Sequence, residues 1–258
     1  MDRARNLDQM RTSFGGETLP EAERRARVTA LFDRIAPRYD LMNDLMSFGT
    51  HRLWKAQAVR WALAAGTEQP GLFLDLAGGT GDLALALARA EPERHVVVAD
   101  ASEGMLAVAR RRGGHGLSYL HASAEDLPLE SGSVAVVTLA FGLRNMTDPA
   151  AALREVSRVL APGGTLILLE FSKPAGWFAP FYGLHSRYLI PALGAAVAGD
   201  RGAYRYLVES IRRFPARDDI AREIAAAGLQ LEREKAFVFG VARLQWARKP
   251  GTARKGQA

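Results

Sequence analysis

From residue 72 onward, short continuous apolar runs alternate with segments whose apolar residues recur every three or four positions. Runs at 72–76, 95–100, 117–121, 134–140 and 165–171, such as Val96-Val97-Val98 and Leu166-Ile167-Leu168-Leu169, read as strands. Unbroken apolar runs of this length fit strands covered on both faces, as in a parallel sheet. The segments near 81–90, 103–112 and 149–160 carry the helical period. Strands alternating with helices close right-handed crossovers, which predicts a doubly wound α/β fold. Pro162-Gly163-Gly164 marks a turn before the fifth strand. A helix at 217–227, a turn at Gly228 and strands near 229–235 and 237–247 end the pattern. Only the residues around Lys235 and Ala236 join those last two strands. A parallel crossover needs about a dozen residues, so they form an antiparallel hairpin, and the expected sheet has seven strands.

The flanks carry a different pattern. Residues 1–27 are polar and charged and read as a mobile N-terminal arm. Val28, Leu31, Phe32 and Ile35 then recur at helical spacing as far as Pro37. The stretch 38–55 is dense in Met, aromatic and hydrogen-bonding side chains and reads as a lid, although Met42, Met46 and Phe48 fit core packing equally well. A helix at 52–65 follows. After Phe171 the alternation stops, and Trp177, Phe178, Phe181, Tyr182, Tyr188, Tyr204 and Tyr206 mark a second helical lid rather than a disordered linker. One domain is therefore expected over 28–248, with lids at about 28–65 and 172–214 and a disordered tail at 249–258.

Composition narrows the classes. The 258 residues are 48% hydrophobic, ample for a core. The absence of cysteine removes disulfides, thiolate metal sites and a cysteine nucleophile, and no other ligand set has metal spacing. No apolar run approaches the ~20 residues that span a bilayer, and the N-terminus has no signal-peptide pattern, so a cytoplasmic protein is expected. The net charge of +6 suits an anionic membrane face or nucleic acid, but arginines spread over helix faces give an ordinary solvated surface as readily.

Residues 72–82, Leu-Phe-Leu-Asp-Leu-Ala-Gly-Gly-Thr-Gly-Asp, place a glycine turn between the first strand and a helix. Such turns open nucleotide sites in α/β sheets. Gly79-Thr-Gly81-Asp-Leu-Ala84 fits the dinucleotide fingerprint, and Asp100 follows about 20 residues on, where an acid holds ribose hydroxyls. Both features also suit S-adenosylmethionine. Charge separates the two readings. Asp82 would set a carboxylate beside a pyrophosphate at the helix N-terminus, and Asp75 adds another. A sulfonium with an ammonium group accepts such acids, so S-adenosylmethionine is expected and an NAD-dependent oxidoreductase is the distant alternative. Gly79, Thr80 and Gly81 would pass under the methionyl part, and Asp100 would take the ribose. Ser123 and Ala124 would reach the adenine edge, and Met105 either packs on the adenine or belongs to the core.

The loop after the fourth strand, Phe141-Gly-Leu-Arg-Asn-Met-Thr-Asp148, offers Arg144 and Asn145 as donors to ring oxygens. Asp148 reads as the cap of the helix that follows. With this loop, the stretches Tyr39-Asp-Leu-Met-Asn-Asp-Leu-Met-Ser-Phe-Gly-Thr-His-Arg-Leu-Trp-Lys55, Leu74-Asp-Leu-Ala-Gly-Gly-Thr-Gly-Asp82, Leu169-Glu-Phe-Ser-Lys-Pro174 and Tyr204-Arg-Tyr-Leu-Val-Glu-Ser-Ile211 resemble the UbiE/MenG family of quinone C-methyltransferases. The resemblance spans roughly residues 28–247. Ser123 stands where the family commonly has Asn, and Ala140 where it commonly has Ser.

That resemblance implies a class I S-adenosylmethionine-dependent methyltransferase fold, Rossmann-like and doubly wound, whose mostly parallel seven-stranded sheet ends in an antiparallel strand. It implies cofactor contacts at Thr80, Asp100, Ser123 and Ala124. The implied acceptor is a polyprenyl hydroquinone, demethylmenaquinol before a methoxy-benzoquinol of ubiquinone biosynthesis, with no metal, no nucleic acid and transient peripheral contact with the inner membrane face. Arg144 and Asn145 would steady a phenolate oxygen. The base is open between Tyr39, His51 and a water held by Arg144 or Asp40.

Overall fold

In the computed structural model, residues 10–14, 16–67, 69–184 and 201–251 are described. Residues 1–9, the middle of the second lid including Tyr188, and the tail from 252 lie outside them, as do the side chains of Phe181, Tyr182 and Tyr204.

A seven-stranded sheet has the order β3-β2-β1-β4-β5-β7-β6. Its strands are β1 (Leu72–Leu76), β2 (Val96–Asp100), β3 (Leu117–His121), β4 (Val134–Ala140), β5 (Leu160–Phe171), β6 (Gln230–Phe237) and β7 (Ala242–Arg248). The first five pair in parallel and the last two antiparallel. The expected hairpin is present, but its turn is the 3-10 stretch Val238–Gly240, so β6 runs on through the residues expected to form the connection. β5 likewise extends back through Pro162-Gly163-Gly164 to Leu160, with a register shift opposite Val134 and Val136.

Each sheet face is covered. On one side Leu74, Leu76, Val97 and Leu168 meet α6 (Pro149–Val159) and α9 (Arg217–Ala226) through Leu153, Val156 and Ile224. On the other, Phe73, Val98 and Ile167 meet α3 (Thr50–Gly66) and α4 (Asp82–Ala90) through Trp54, Ala58, Ala62 and Leu87. Helix α3 is therefore scaffold, not lid. A run of alanines lets it lie close on the sheet, which residue pattern alone did not separate from a cap.

The strand order reverses between β1 and β4, which opens a crevice at their carboxyl ends. Above it sit α1 (Glu21–Ile35), α2 (Tyr39–Ser47) and α8 (Arg201–Arg213), while α5 (Glu103–Arg112) packs on β2 and β3 and lends Met105, and α7 (Ala179–Leu184) follows β5 in the chain. Val28, Leu31, Ile35, Met42, Met105, Tyr206 and Leu207 form a third apolar cluster there. Met42 thus belongs to the core.

Two terminal expectations need correction. Ser13–Phe14 pairs antiparallel with Glu17–Thr18 and α1 begins at Glu21, so the described residues between 10 and 27 are folded onto the domain rather than a mobile arm. Arg24 anchors it, buried and donating from Nε to the Ser13 carbonyl at 2.9 Å and from Nη1 to the Met146 carbonyl at 3.2 Å. At the other end Lys249 is fastened: its Nζ donates to the carbonyls of Ser157 at 2.6 Å and Leu160 at 2.7 Å.

Candidate functional site

The glycine turn is built to bend, not to bind phosphate. Gly79 and Gly81 sit at φ +56° and +83°, the left-handed region open to glycine. The Gly78 N–H donates to the Ala99 carbonyl, Gly79 N–H to Asp100 Oδ2 at 2.9 Å, and Gly81 N–H to the Gly78 carbonyl. These three amides are committed inside the protein, so a pyrophosphate would find none of them free. Asp75 is 1% exposed and accepts from the Ala84 N–H at 3.1 Å and the Thr138 hydroxyl at 2.7 Å. Burial pushes its carboxyl up to about 6. Burial would also raise Asp82, but Lys55 at 2.8 Å and Arg112 at 2.7 Å hold it at about 2. Neither acid is available to a cationic ligand.

A cavity of about 390 Å³ lies over this turn. Gly79, Asp100, Met105, Ser123 and Ala124 line it, together with Ala77, Ala140, Phe141 and Asn145. Asp75, Thr80 and Gly81 do not line it. Thr80 is buried and donates to Asp40 Oδ1 at 2.8 Å, which pins α2 to the glycine turn. Asp100 accepts the Gly79 and Ser102 amides, and burial raises its carboxyl above the ordinary range. Each carboxylate oxygen keeps a lone pair for a ligand hydroxyl. Arg25, Val28, Thr29 and Phe32 of α1 roof the space with Tyr39. These walls combine the carboxylate of Asp100 with the apolar surfaces of Met105 and Phe141.

A second cavity, about 310 Å³, adjoins the first at Phe141. Its walls are Met46, Trp54, Phe141, Phe171, Phe178, Leu207, Ile211 and Val241, with Asn43, Ser47, Thr50, His51 and Arg144 as its polar groups. Phe141 packs on Phe171 at 4.7 Å between ring centres and on Trp54 at 6.3 Å. Phe141 itself has φ +57°, an uncommon state for an aromatic residue, and its carbonyl accepts from Arg144 Nη1 and from Asn145 Nδ2. The strained turn at the end of β4 is thus held by the two residues that follow it.

The four expected catalytic residues divide between the cavities. His51 and Arg144 line the second; Tyr39 and Asn145 line the first. Asn145 is also occupied, accepting from the Tyr206 hydroxyl at 3.2 Å. Arg144 is not a free donor arm: its Nη1 lies 2.9 Å from Glu170 Oε1 with both side chains buried. Its Nε is buried with no hydrogen-bond partner among the described residues. Burial raises Glu170 against the opposing charge of Arg144.

Sequence reasoning missed Glu170, Glu125 and Arg24 as the braces of this loop. Glu125 accepts the amides of Thr147 and Asp148, and Arg24 holds the Met146 carbonyl. The signal for Glu170 was present, since an acid at the end of the apolar run Leu166–Leu169 needs a buried partner. Nothing local marks Arg24 as a brace of this loop, because its partners there, the Asn145 and Met146 carbonyls, are more than 120 residues away.

The model of the ubiE/COQ5 methyltransferase family matches residues 21–249. A ubiquinone/menaquinone biosynthesis C-methyltransferase UbiE of Rubrivivax gelatinosus is 49% identical over 89% of this chain and 90% of its own length. A mitochondrial 2-methoxy-6-polyprenyl-1,4-benzoquinol methylase of Caenorhabditis elegans is 40% identical over 96% of this chain and 89% of its own. Among solved structures, magnesium protoporphyrin IX methyltransferase of Synechocystis, with bound SAH, superposes with a TM-score of 0.62 at 18% identity, over 88% of this chain and 99% of that one, a likeness of fold. The chain belongs to the ubiE/COQ5 methyltransferase family and depends on S-adenosylmethionine as methyl donor.

Proposed function

We propose that this protein methylates a ring carbon of a polyprenyl hydroquinone, with demethylmenaquinol as acceptor and menaquinol as product. The broader statement, C-methylation in quinone biosynthesis, follows from the family and from relatives named for it. The finer reading is carried by the second cavity, an aromatic-walled space that touches the cofactor cavity at Phe141. A fused naphthoquinol ring covers more of the wall formed by Trp54, Phe141 and Phe171 than a single ring does. The second reading is a polyprenyl methoxy-benzoquinol, favoured by the name of the C. elegans relative.

S-adenosylmethionine supplies the methyl group on a cationic sulfur. In this reading Asp100 holds the ribose hydroxyls, Ser123 and Ala124 border the base, and Tyr39 roofs the cofactor over Gly79. Asp100→Ala is expected to weaken S-adenosylmethionine binding by at least about tenfold, because one hydrogen bond to a charged group is worth about 1.5–3 kcal/mol. Calorimetry reads this directly, and an unchanged Kd would place the ribose elsewhere.

On the acceptor side, His51 is the base and Arg144 the oxyanion donor. Ser47 Oγ lies 2.7 Å from both the Asn43 carbonyl and His51 Nδ1. Its single hydrogen satisfies Asn43, so toward His51 it accepts. Nδ1 then carries the ring proton and Nε2 keeps a lone pair. Burial, with Lys55 nearby, holds His51 below its ordinary value, so the ring is neutral at pH 7. Nε2 would take the phenolic proton, charge would move to the adjacent ring carbon, and that carbon would take the methyl as the sulfur–methyl bond breaks and leaves a neutral thioether; the proton on the same ring carbon is then lost to solvent, which restores the aromatic hydroquinone. Arg144, which lines the same cavity, steadies the phenolate through its fixed positive charge. Asn145 positions the loop through the Phe141 carbonyl.

Deleting the gene and extracting the host's quinones tests the acceptor. Accumulated demethylmenaquinone supports the first reading and an accumulated methoxy-benzoquinol precursor the second. An unchanged quinone profile would sink both.

A further inference from the structure

We propose that the mouth of the second cavity is a membrane-docking face, on which Phe48, Trp177, Val238 and Phe239 enter the headgroup–acyl boundary of an anionic bilayer. The inference rests on reading that cavity as the site of a lipid-soluble acceptor.

These four side chains are among the few large apolar ones that the fold leaves in solvent: Phe48 is 69% exposed, Trp177 63%, Phe239 57% and Val238 42%. They are continuous with the cavity. Phe48 and Val238 line it as well as facing outward. Trp177 meets Phe239 at 4.6 Å between ring centres, and both meet Phe178, another lining residue. An apolar path therefore runs from Phe141 at the cofactor out to the surface.

The backbone at these positions is unusual in the same direction. Phe48, Val238 and Phe239 have φ of +50°, +46° and +53°. Left-handed backbone is costly for bulky residues and most of all for a β-branched one, and it persists where a binding function retains it. Both turns are braced. The Gly49 N–H donates to the Asp44 carbonyl at 2.9 Å, the Ala175 N–H to the Phe239 carbonyl at 2.8 Å, and the Ser172 N–H to the Val241 carbonyl at 2.9 Å. Short, fixed turns tipped with aromatics are suited to the interface, where an indole sits at headgroup level. Charge agrees. Lys173 is exposed on the stretch bonded to the hairpin tip, and the chain carries +6 overall, which favours an anionic leaflet. No helix among the described residues is long and apolar enough to cross a membrane, so contact would be with one face only. Docked this way, a prenyl tail passes from lipid into the cavity without crossing water.

The test uses the full chain with vesicles of phosphatidylglycerol and phosphatidylcholine and no quinol. Co-sedimentation is expected for the wild type. Partitioning should fall at least tenfold for the double variant Trp177→Asp, Phe239→Asp, neither of whose residues lines a cavity. Methylation of a tail-less, water-soluble hydroquinone should be unchanged in that variant, which also shows that it folds. Methylation of a polyprenyl hydroquinone presented in vesicles should drop with the partitioning. Undiminished partitioning of the variant overturns the proposal. So does a wild-type dimer that ignores vesicles and separates in the variant, which would assign the patch to a second copy of this chain. Failure of the acceptor reading looks different: vesicle binding stays, and neither hydroquinone is methylated.

Discussion

Arg144→Ala is expected to lower kcat by about 10²–10³-fold, the usual effect of removing one donor from a developing oxyanion, while S-adenosylmethionine binds as before. Cofactor affinity is the control, because Arg144 lines the second cavity and not the first. An unchanged kcat would remove Arg144 from the chemistry. The substitution also has a stability signature of definite sign. Glu170 is 4% exposed and already raised by burial, with Arg144 opposing that rise. Without the guanidinium its folded-state value rises further above the unfolded one. A group raised in this way stabilises the fold below its unfolded value and loses that contribution as pH climbs through its folded value. The variant should therefore melt closer to the wild type at pH 4–5 than at pH 8. Leaving a buried charge unpaired costs about 3–5 kcal/mol, an upper bound here because the carboxyl can take a proton instead. Arg144→Ala with Glu170→Gln should recover the stability and not the rate. That split separates a structural ion pair from a group that acts on the acceptor.

The strands and helices of the sheet were legible because both signals are local. An unbroken apolar run is a covered strand, a 3.6-residue period is a helix, and their alternation leaves one topology. The cavities were less legible because residue type does not say which way a side chain faces. Asp75 and Thr80 sit beside glycines that shape the cofactor site, yet they point inward to Thr138 and Asp40. Tyr39 and His51 share one motif, but the chain reverses between α2 and α3 and carries them to different cavities. The acids at the glycine turn pointed to S-adenosylmethionine for a reason the fold does not bear out, because Lys55 and Arg112 neutralise Asp82 and burial raises Asp75. The amides of Gly78, Gly79 and Gly81 are committed within the protein by a geometry that no residue pattern carries, and the cofactor follows from the family.

His51→Ala is expected to lower kcat by about 10²–10⁴-fold, the range for a general base, and to abolish the acid limb of the pH profile. In the wild type the rate should be flat at neutral pH and fall only below the ordinary histidine value of about 6.5, since burial and Lys55 shift His51 downward. The variant should show no such limb. Ser47→Ala separates position from proton transfer. It removes the acceptor at Nδ1, so both ring tautomers compete for the site; the expected cost is about tenfold or less, and the acid limb stays. The same residue leaves a mark on stability. A histidine lowered by folding binds its proton more readily when unfolded, so its contribution is lost as pH falls below about 6.5. His51→Ala should flatten that part of the melting curve against pH. If the variant kept its rate and its acid limb, the base would have to be sought among waters near Arg144. If it lost only the stability slope and kept the rate, His51 would be a buried brace between α2 and α3. Rate and stability together distinguish the two roles, because only proton abstraction ties the acid limb of kcat to the imidazole that Ser47 holds.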